Sequence, residues 1–144
     1  VTSTNDGVRL VKQSDVETYV SYCRLTKVLI DKEAGVDGAS VCWVTIPPGR
    51  GYEEHQKERE TEIIFVIKGT LQITSGGKKT VIGAGDAAAI LPRTLHSHQN
   101  IGAEWVEYLV IHTPGGPEQT FKGRQTLEGT KHGYAASAED RSPS

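Results

Sequence analysis

Two stretches of this chain hold the residues best suited to chemistry. GRGYEEHQKERETEIIFVIKG, residues 49–69, presents His55, Lys57 and Glu62, and GDAAAILPRTLHSHQN, residues 85–100, presents His96, His98 and Asn100. In each, the polar cluster sits at the mouth of an apolar, strand-like run and is bracketed by glycine turns. Imidazole and carboxylate together suit a first-row divalent metal. Side chains alternate faces along a strand, so His55 and Lys57 share one face and His96, His98 and Asn100 share another. Histidines at i and i+2 project side by side and can reach a single ion. Glu62 lies five residues beyond Lys57, which leaves room for a tight turn that returns it to the end of the strand where His55 stands. His55, Glu62, His96 and His98 are therefore expected to point at one centre.

A further ligand candidate is His112. In the run 105–113 one face carries Val106, Tyr108, Val110 and His112, the other Trp105, Glu107, Leu109 and Ile111. Burying Glu107 without a partner costs several kcal/mol, so the Val106/Tyr108/His112 face is expected inward. Trp105, Leu109 and Ile111 then form an outward apolar patch that calls for a homodimer contact or cover by the tail. The competing reading is bland: interior histidines are usually hydrogen-bonded core residues. EEHQKERETE also carries enough charge to be a solvated loop, with Glu62 paired to Lys57 or Arg59. Spacing, rather than charge, favours the metal site.

The elements that must hold these residues read as strands. Period-two apolar runs and sixteen glycines favour an all-β chain. Strands are expected at 8–11, loosely over 20–30, and at 39–46, 63–67, 71–74, 79–82, 87–91, 95–101 and 105–113. Pro47-Pro48 ends the third of these, because proline cannot donate a ladder hydrogen bond. The near-continuous run 63–67 is expected to be covered on both faces. Gly76-Gly77 makes a two-residue hairpin turn. Ser14 with Glu17 fits a capping box, so 14–19 is expected to form one helical turn. Strands about ten residues apart with turns between them mark a sandwich or barrel. The barrel domain is placed at 1–113, with an arm over 1–19, and an irregular tail at 114–144.

At 144 residues the chain suits one domain. Lys and Arg number 16 against 18 Asp and Glu, scattered, for a net charge of −2, which excludes nucleic acid or an anionic membrane as the main partner. No apolar run approaches a membrane span. No signal peptide is visible, so a cytoplasmic location is expected. Cys23 and Cys42 fall in strand-like runs and read as buried free thiols.

The two histidine stretches resemble the paired motifs of the cupin superfamily. The first runs glycine, five residues, His-x-His, a few residues, Glu, six residues, glycine, and Gly49, His55, Glu62 and Gly69 fall on it. The second runs glycine, five residues, Pro-x-Gly, two residues, His, three residues, Asn, and Gly85, His96 and Asn100 match. The chain departs from the pattern at Lys57, which stands for the second histidine, and at Leu91 and Arg93, which stand for the proline and glycine. Pro92 comes one place late. The resemblance implies a cupin-type jelly-roll β-sandwich or barrel around one divalent transition metal. Because a charged lysine ligates poorly, His98 or His112 must complete the set. In size, layout and tail the chain is similar to the small cupin-type cyclases of bacterial aromatic polyketide pathways, such as the resistomycin-pathway cyclase.

That likeness implies ring closure of a poly-β-ketone in secondary metabolism. It needs an apolar cavity, a Lewis acid on one carbonyl and a base for an α-proton. Interior aliphatics and Tyr108 would line the cavity. His55, His96, His98 and either Glu62 or His112 would hold the ion, and whichever of Glu62 and His112 is not a ligand is the base candidate. Lys57 and Tyr108 are the candidate catalytic side chains, Lys57 to hold developing negative charge. Zinc suffices where no redox step occurs, with nickel or iron as alternatives. The expected partners are a small-molecule substrate, free or bound to a carrier protein, and a second copy of the chain. Two other readings stay open: a mononuclear iron dioxygenase on His55, His96 and Glu62, and a non-catalytic small-molecule-binding module.

Overall fold

A computed structural model of the chain describes residues 2–5, 7–21 and 23–126. In chain order the strands are β1 (Thr2–Asn5), β2 (Val8–Leu10), β3 (Thr18–Ser21), β4 (Arg24–Ile30), β5 (Ser40–Ile46), β6 (Gly51–His55), β7 (Thr61–Lys68) and β8 (Thr70–Ser75). They continue with β9 (Lys78–Gly83), β10 (Ala87–Ile90), β11 (His96–Gln99), β12 (Val106–Thr113) and, after a short helix α1 (Gln119–Lys122), β13 (Gln125–Thr126). A seven-stranded sheet runs β10-β7-β12-β5-β4-β3-β13 and a four-stranded sheet runs β6-β11-β8-β9, with β1 and β2 as a separate hairpin. All the pairings are antiparallel. Two sheets with their apolar faces inward make the cupin-type β-sandwich.

Strict alternation builds the core. In β5, Ser40, Cys42, Val44 and Ile46 are buried and the residues between them are not. β12 pairs with it from Val106↔Ile46 to His112↔Ser40 and buries Val106, Tyr108, Val110 and His112. Leu71, Ile73 and Ile82 of the smaller sheet close the core from the other side. Glu107 stays on the outer face, where its carboxylate accepts a hydrogen bond from Trp43 Nε1 at 3.2 Å. Cys23 and Cys42 are both buried; the Cys23 thiol donates to the Gly51 carbonyl, and burial pushes the Cys42 thiol up to about 12.

Three sequence expectations change. Residues 14–19 do not form a capped helical turn: a single 3-10 turn spans Gln13–Asp15 with no side-chain cap, and the chain then enters β3. Val16, Thr18 and Val20 alternate, and strand pairing to β4 outweighs one capping hydrogen bond. The run in β7 is not covered on both faces. Glu62, Ile64 and Val66 are buried while Phe65 and Ile67 are exposed, because among the described residues no layer packs over that face of the larger sheet. The loose stretch 20–30 divides into two strands, β3 and β4. In the described part of the tail Phe121 of α1 is buried in the core and Gln125–Thr126 pairs with β3, while the rest of the irregular tail expected at 114–144 lies outside the described residues. No helix among the described residues is long and apolar enough to cross a membrane.

Candidate metal centre

The two sheets each deliver part of one polar cluster. His55 ends β6 and stands opposite His96 of β11, while His98 stands opposite Tyr52. Between these pairs Ser97 of β11 faces both Glu53 and Glu54 of β6, a bulge that returns both Tyr52 and His55 to the inner side. Glu62 and His112 are cross-strand partners on the larger sheet. Glu62, His96, His98 and His112 are buried. One ligand atom each from His55, Glu62, His96 and His98 lies within 4.8 Å of the other three.

Hydrogen bonds on the far side of each ring fix which nitrogen faces the cluster. His55 Nδ1 lies 3.1 Å from the Glu53 carbonyl, and His96 Nδ1 lies 2.9 Å from the Thr94 carbonyl. A carbonyl only accepts, so Nδ1 is the donor in both rings and Nε2 is left for the centre. His98 Nδ1 is held by the hydroxyls of Tyr52 at 2.5 Å and Tyr108 at 3.1 Å. Glu62 Oε2 lies 3.1 Å from His98 Nε2 and 3.4 Å from His96 Nε2, yet none of these three atoms finds an aligned hydrogen-bond partner among the described residues. Buried polar atoms left so are costly. Aimed past one another at a common point, they are what a divalent cation would satisfy, and three imidazoles with one carboxylate are a donor set such an ion accepts. The residues fit the group.

Charge states agree with this reading. Burial pulls His55 down to about 4, so the ring is neutral near pH 7. Burial also lowers His98. His96 is raised: burial opposes protonation, but Glu62 and the Thr94 carbonyl overcome it. Burial acts to raise the Glu62 carboxyl, and the neighbouring His112, His96 and His98 nevertheless hold it well below the usual carboxylate range. A buried carboxylate favoured in its ionised form among three imidazoles is a charge that a divalent cation would balance.

The other sequence candidates take distinct places. His112 Nε2 meets Glu62 Oε1 at 3.2 Å, so His112 stands behind the carboxylate, outside the group of four. Lys57 lines the same cavity, with burial lowering its ammonium. Tyr108 is buried behind His98, and desolvation in the core pushes its phenol well up. The motif residue Asn100 is a clamp rather than a ligand. Its Nδ2 donates to the carbonyls of Ile46 at 3.0 Å and Glu104 at 2.7 Å, and its Oδ1 accepts from the Gly102 amide at 2.9 Å. The cavity, about 330 Å³, also has walls from Arg24, Tyr52, Val44, Phe121 and Arg124. Arg24, Tyr52 and the segment around Phe121 escaped the sequence reading. Tyr52 was visible as an aromatic three residues before His55, but only with the bulge known would it face inward.

The comparisons agree with the geometry. A family model described as a cupin domain matches residues 42–112. Among solved structures, the chain is similar to a predicted oxalate decarboxylase from Thermotoga maritima, with 25% identity and a TM-score of 0.67 over 74% of this chain and 100% of that one. It is similar to KdgF from Halomonas sp., with 17% identity and a TM-score of 0.68 over 78% and 98%. It is also similar to the polyketide cyclase RemF from Streptomyces resistomycificus, with 19% identity and a TM-score of 0.67 over 76% and 82%. No curated protein matches at a significant level. Fold, paired motifs and family match agree that residues 42–112 form a domain of the cupin superfamily.

Proposed function

We propose that this cupin is a metal-dependent enzyme that removes an α-proton beside a polarised carbonyl, and that its reaction is aldol-type ring closure of a poly-β-ketone. The observation that carries this reading is the position of His112. Among the described residues it is the cavity histidine outside the group of four, held through Nε2 on Glu62, with Nδ1 lacking a hydrogen-bond partner. Nδ1 is then the atom that takes the α-proton. Glu62, kept ionised, steadies the imidazolium that results, and the proton returns to the new alkoxide once the carbon–carbon bond has closed. No electron leaves the system, so atoms and charge balance without an oxidant.

His55, His96, His98 and Glu62 would hold the ion. Bound there, it would supply Lewis acidity to the carbonyl undergoing enolisation, for which zinc suffices. Val44, Val110 and Phe121 give the cavity an apolar wall for the carbon chain, and Lys57 adds positive charge where negative charge develops. The cavity is at the small end of ligand pockets, so it takes the folding end of a ketide rather than a long chain whole. We further propose a homodimer through the outer face of the larger sheet, where Phe65 and Trp105 are exposed.

The test is ring closure of a synthetic poly-β-ketone by zinc-loaded protein under anaerobic conditions. His112→Gln is expected to keep its zinc and lose about 10²-fold or more in turnover. Undiminished turnover in His112→Gln, or conversion only when oxygen is admitted, would overturn the reading, the latter in favour of a dioxygenase.

A further inference from the structure

The same cavity is more cationic than a neutral polyketone requires. Arg24 opens β4, and its guanidinium carbon lies over two rings, 4.1 Å from the Tyr52 centroid and 4.7 Å from that of Phe121. Its Nε lies 3.3 Å from Ser21 Oγ. Stacking orients a planar cation but brings it no anionic partner. Lys57 faces the cavity from the β6–β7 connection, and Arg124 lines it from beyond α1. The carboxylates on these walls are committed or remote. Glu62 is taken up by three histidines, and Glu53 and Glu54 are exposed. Among the described residues, no carboxylate forms an ion pair with Arg24 or with Lys57. A stacked guanidinium at the edge of a partly desolvated cavity, with an ammonium on the same lining, is a site built for a planar anion. Arginine meets a carboxylate through two parallel hydrogen bonds, whereas lysine acts as a point charge.

We propose that Arg24 and Lys57 form a carboxylate-binding subsite, so that the substrate is a keto acid held by its carboxylate while its ketone faces the histidine cluster. The proposal rests on the reading of that cluster as the reacting centre and narrows its substrate class from carbonyl compounds to keto acids. Tyr52 links the two halves. Its ring carries Arg24 on one face and its hydroxyl holds His98 Nδ1, so anion binding and ligand orientation share one side chain. Phe121 brings the C-terminal segment against the same guanidinium, which makes that segment part of the subsite wall.

The experiment is calorimetric titration of the full chain with levulinate, a stable keto acid, and with its neutral methyl ester. Each is titrated into zinc-saturated protein and again after zinc has been stripped. Levulinate is expected to bind at least about tenfold tighter than the ester in both states, because the subsite lies in the protein and not on the ion. Arg24→Met and Lys57→Met should each cut that preference at least about threefold, with zinc stoichiometry unmoved. Lys57→Met guards against a folding defect in Arg24→Met, since Lys57 lies outside the core. Equal binding of acid and ester, binding of neither, or equal weakening of both by the variants would overturn the subsite. Failure of zinc to bind while the stripped protein still prefers the acid would defeat the metal reading and leave the subsite standing.

Discussion

His55 and His96 are each pinned by a backbone carbonyl on Nδ1, and that detail turns two core histidines into candidate ligands. Such outer hydrogen bonds set both the tautomer and the aim of a ligating ring. His96→Ala should therefore abolish stoichiometric zinc binding while leaving the fold intact by circular dichroism. A variant that still binds one equivalent would remove His96 from the set. Acid should act on the same rings. Burial lowers His55 to about 4 and also lowers His98, so below pH ~6.5 the unfolded chain takes up protons at these rings that the folded one refuses. Stability of zinc-free protein must then fall as pH drops from that value towards 4. Raised His96 opposes part of this loss, and depressed Glu62 adds a further loss that sets in below the usual carboxylate range and runs down to its own folded value. Thermal melts between pH 7 and pH 4 should show the decline, and His55→Gln should flatten it; a pH-independent melting temperature would contradict the assignment. The spacing of His55, Glu62, His96 and His98 was readable without coordinates because strand alternation and turn length are local. Arg24 was not, since it comes from another part of the chain and meets the cavity only through the larger sheet.

Backbone geometry decides whether these side chains arrive. A Cβ on Gly51 would sit 2.4 Å from the His98 carbonyl oxygen and 2.8 Å from Gln99 Cα. β6 can press against β11 only without it. Gly51→Ala should push the strands apart, displacing Tyr52 and His55, and weaken zinc binding at least about tenfold, well beyond its effect on the rest of the core. Wild-type zinc affinity in that variant would show that the close approach is incidental. Arg93 marks the opposite case. It stands where the second motif has glycine, and its φ of 60° is the left-handed conformation that glycine adopts freely. Arg93→Gly should therefore fold at least as stably as the parent, and Arg93→Val should lie about 1–2 kcal/mol below Arg93→Gly by denaturant unfolding. The motif's departure at this position is thus one of side chain and not of backbone. Elements with strict alternation, such as β5 and β12, were legible to within a residue or two. The helical turn expected at 14–19 failed because a capping box is a local signal, whereas the pairing of β3 with β4 is a tertiary one.

At the scale of the whole molecule, the cluster joins the two sheets. His55, His96 and His98 come from the smaller sheet and Glu62 from the larger, so an ion held by all four would cross-link the sandwich. Zinc at a hundredfold excess over its dissociation constant should stabilise the fold by about 2.7 kcal/mol, seen as a raised melting temperature that Glu62→Gln largely removes. Turns about ten residues apart made a β-sandwich or barrel legible, and the resemblance of the two histidine motifs narrowed it to the cupin type. The closing of the cavity by α1 was not, because Phe121 lies alone among polar residues and no periodicity announces it.

The most direct test is an anomalous-scattering map at the zinc edge, from crystals of zinc-saturated protein. The account predicts one strong peak within about 2.0–2.2 Å of Nε2 of His55, His96 and His98 and of a Glu62 carboxylate oxygen. A map with no peak among those four residues, or with zinc held only by surface side chains, would contradict it.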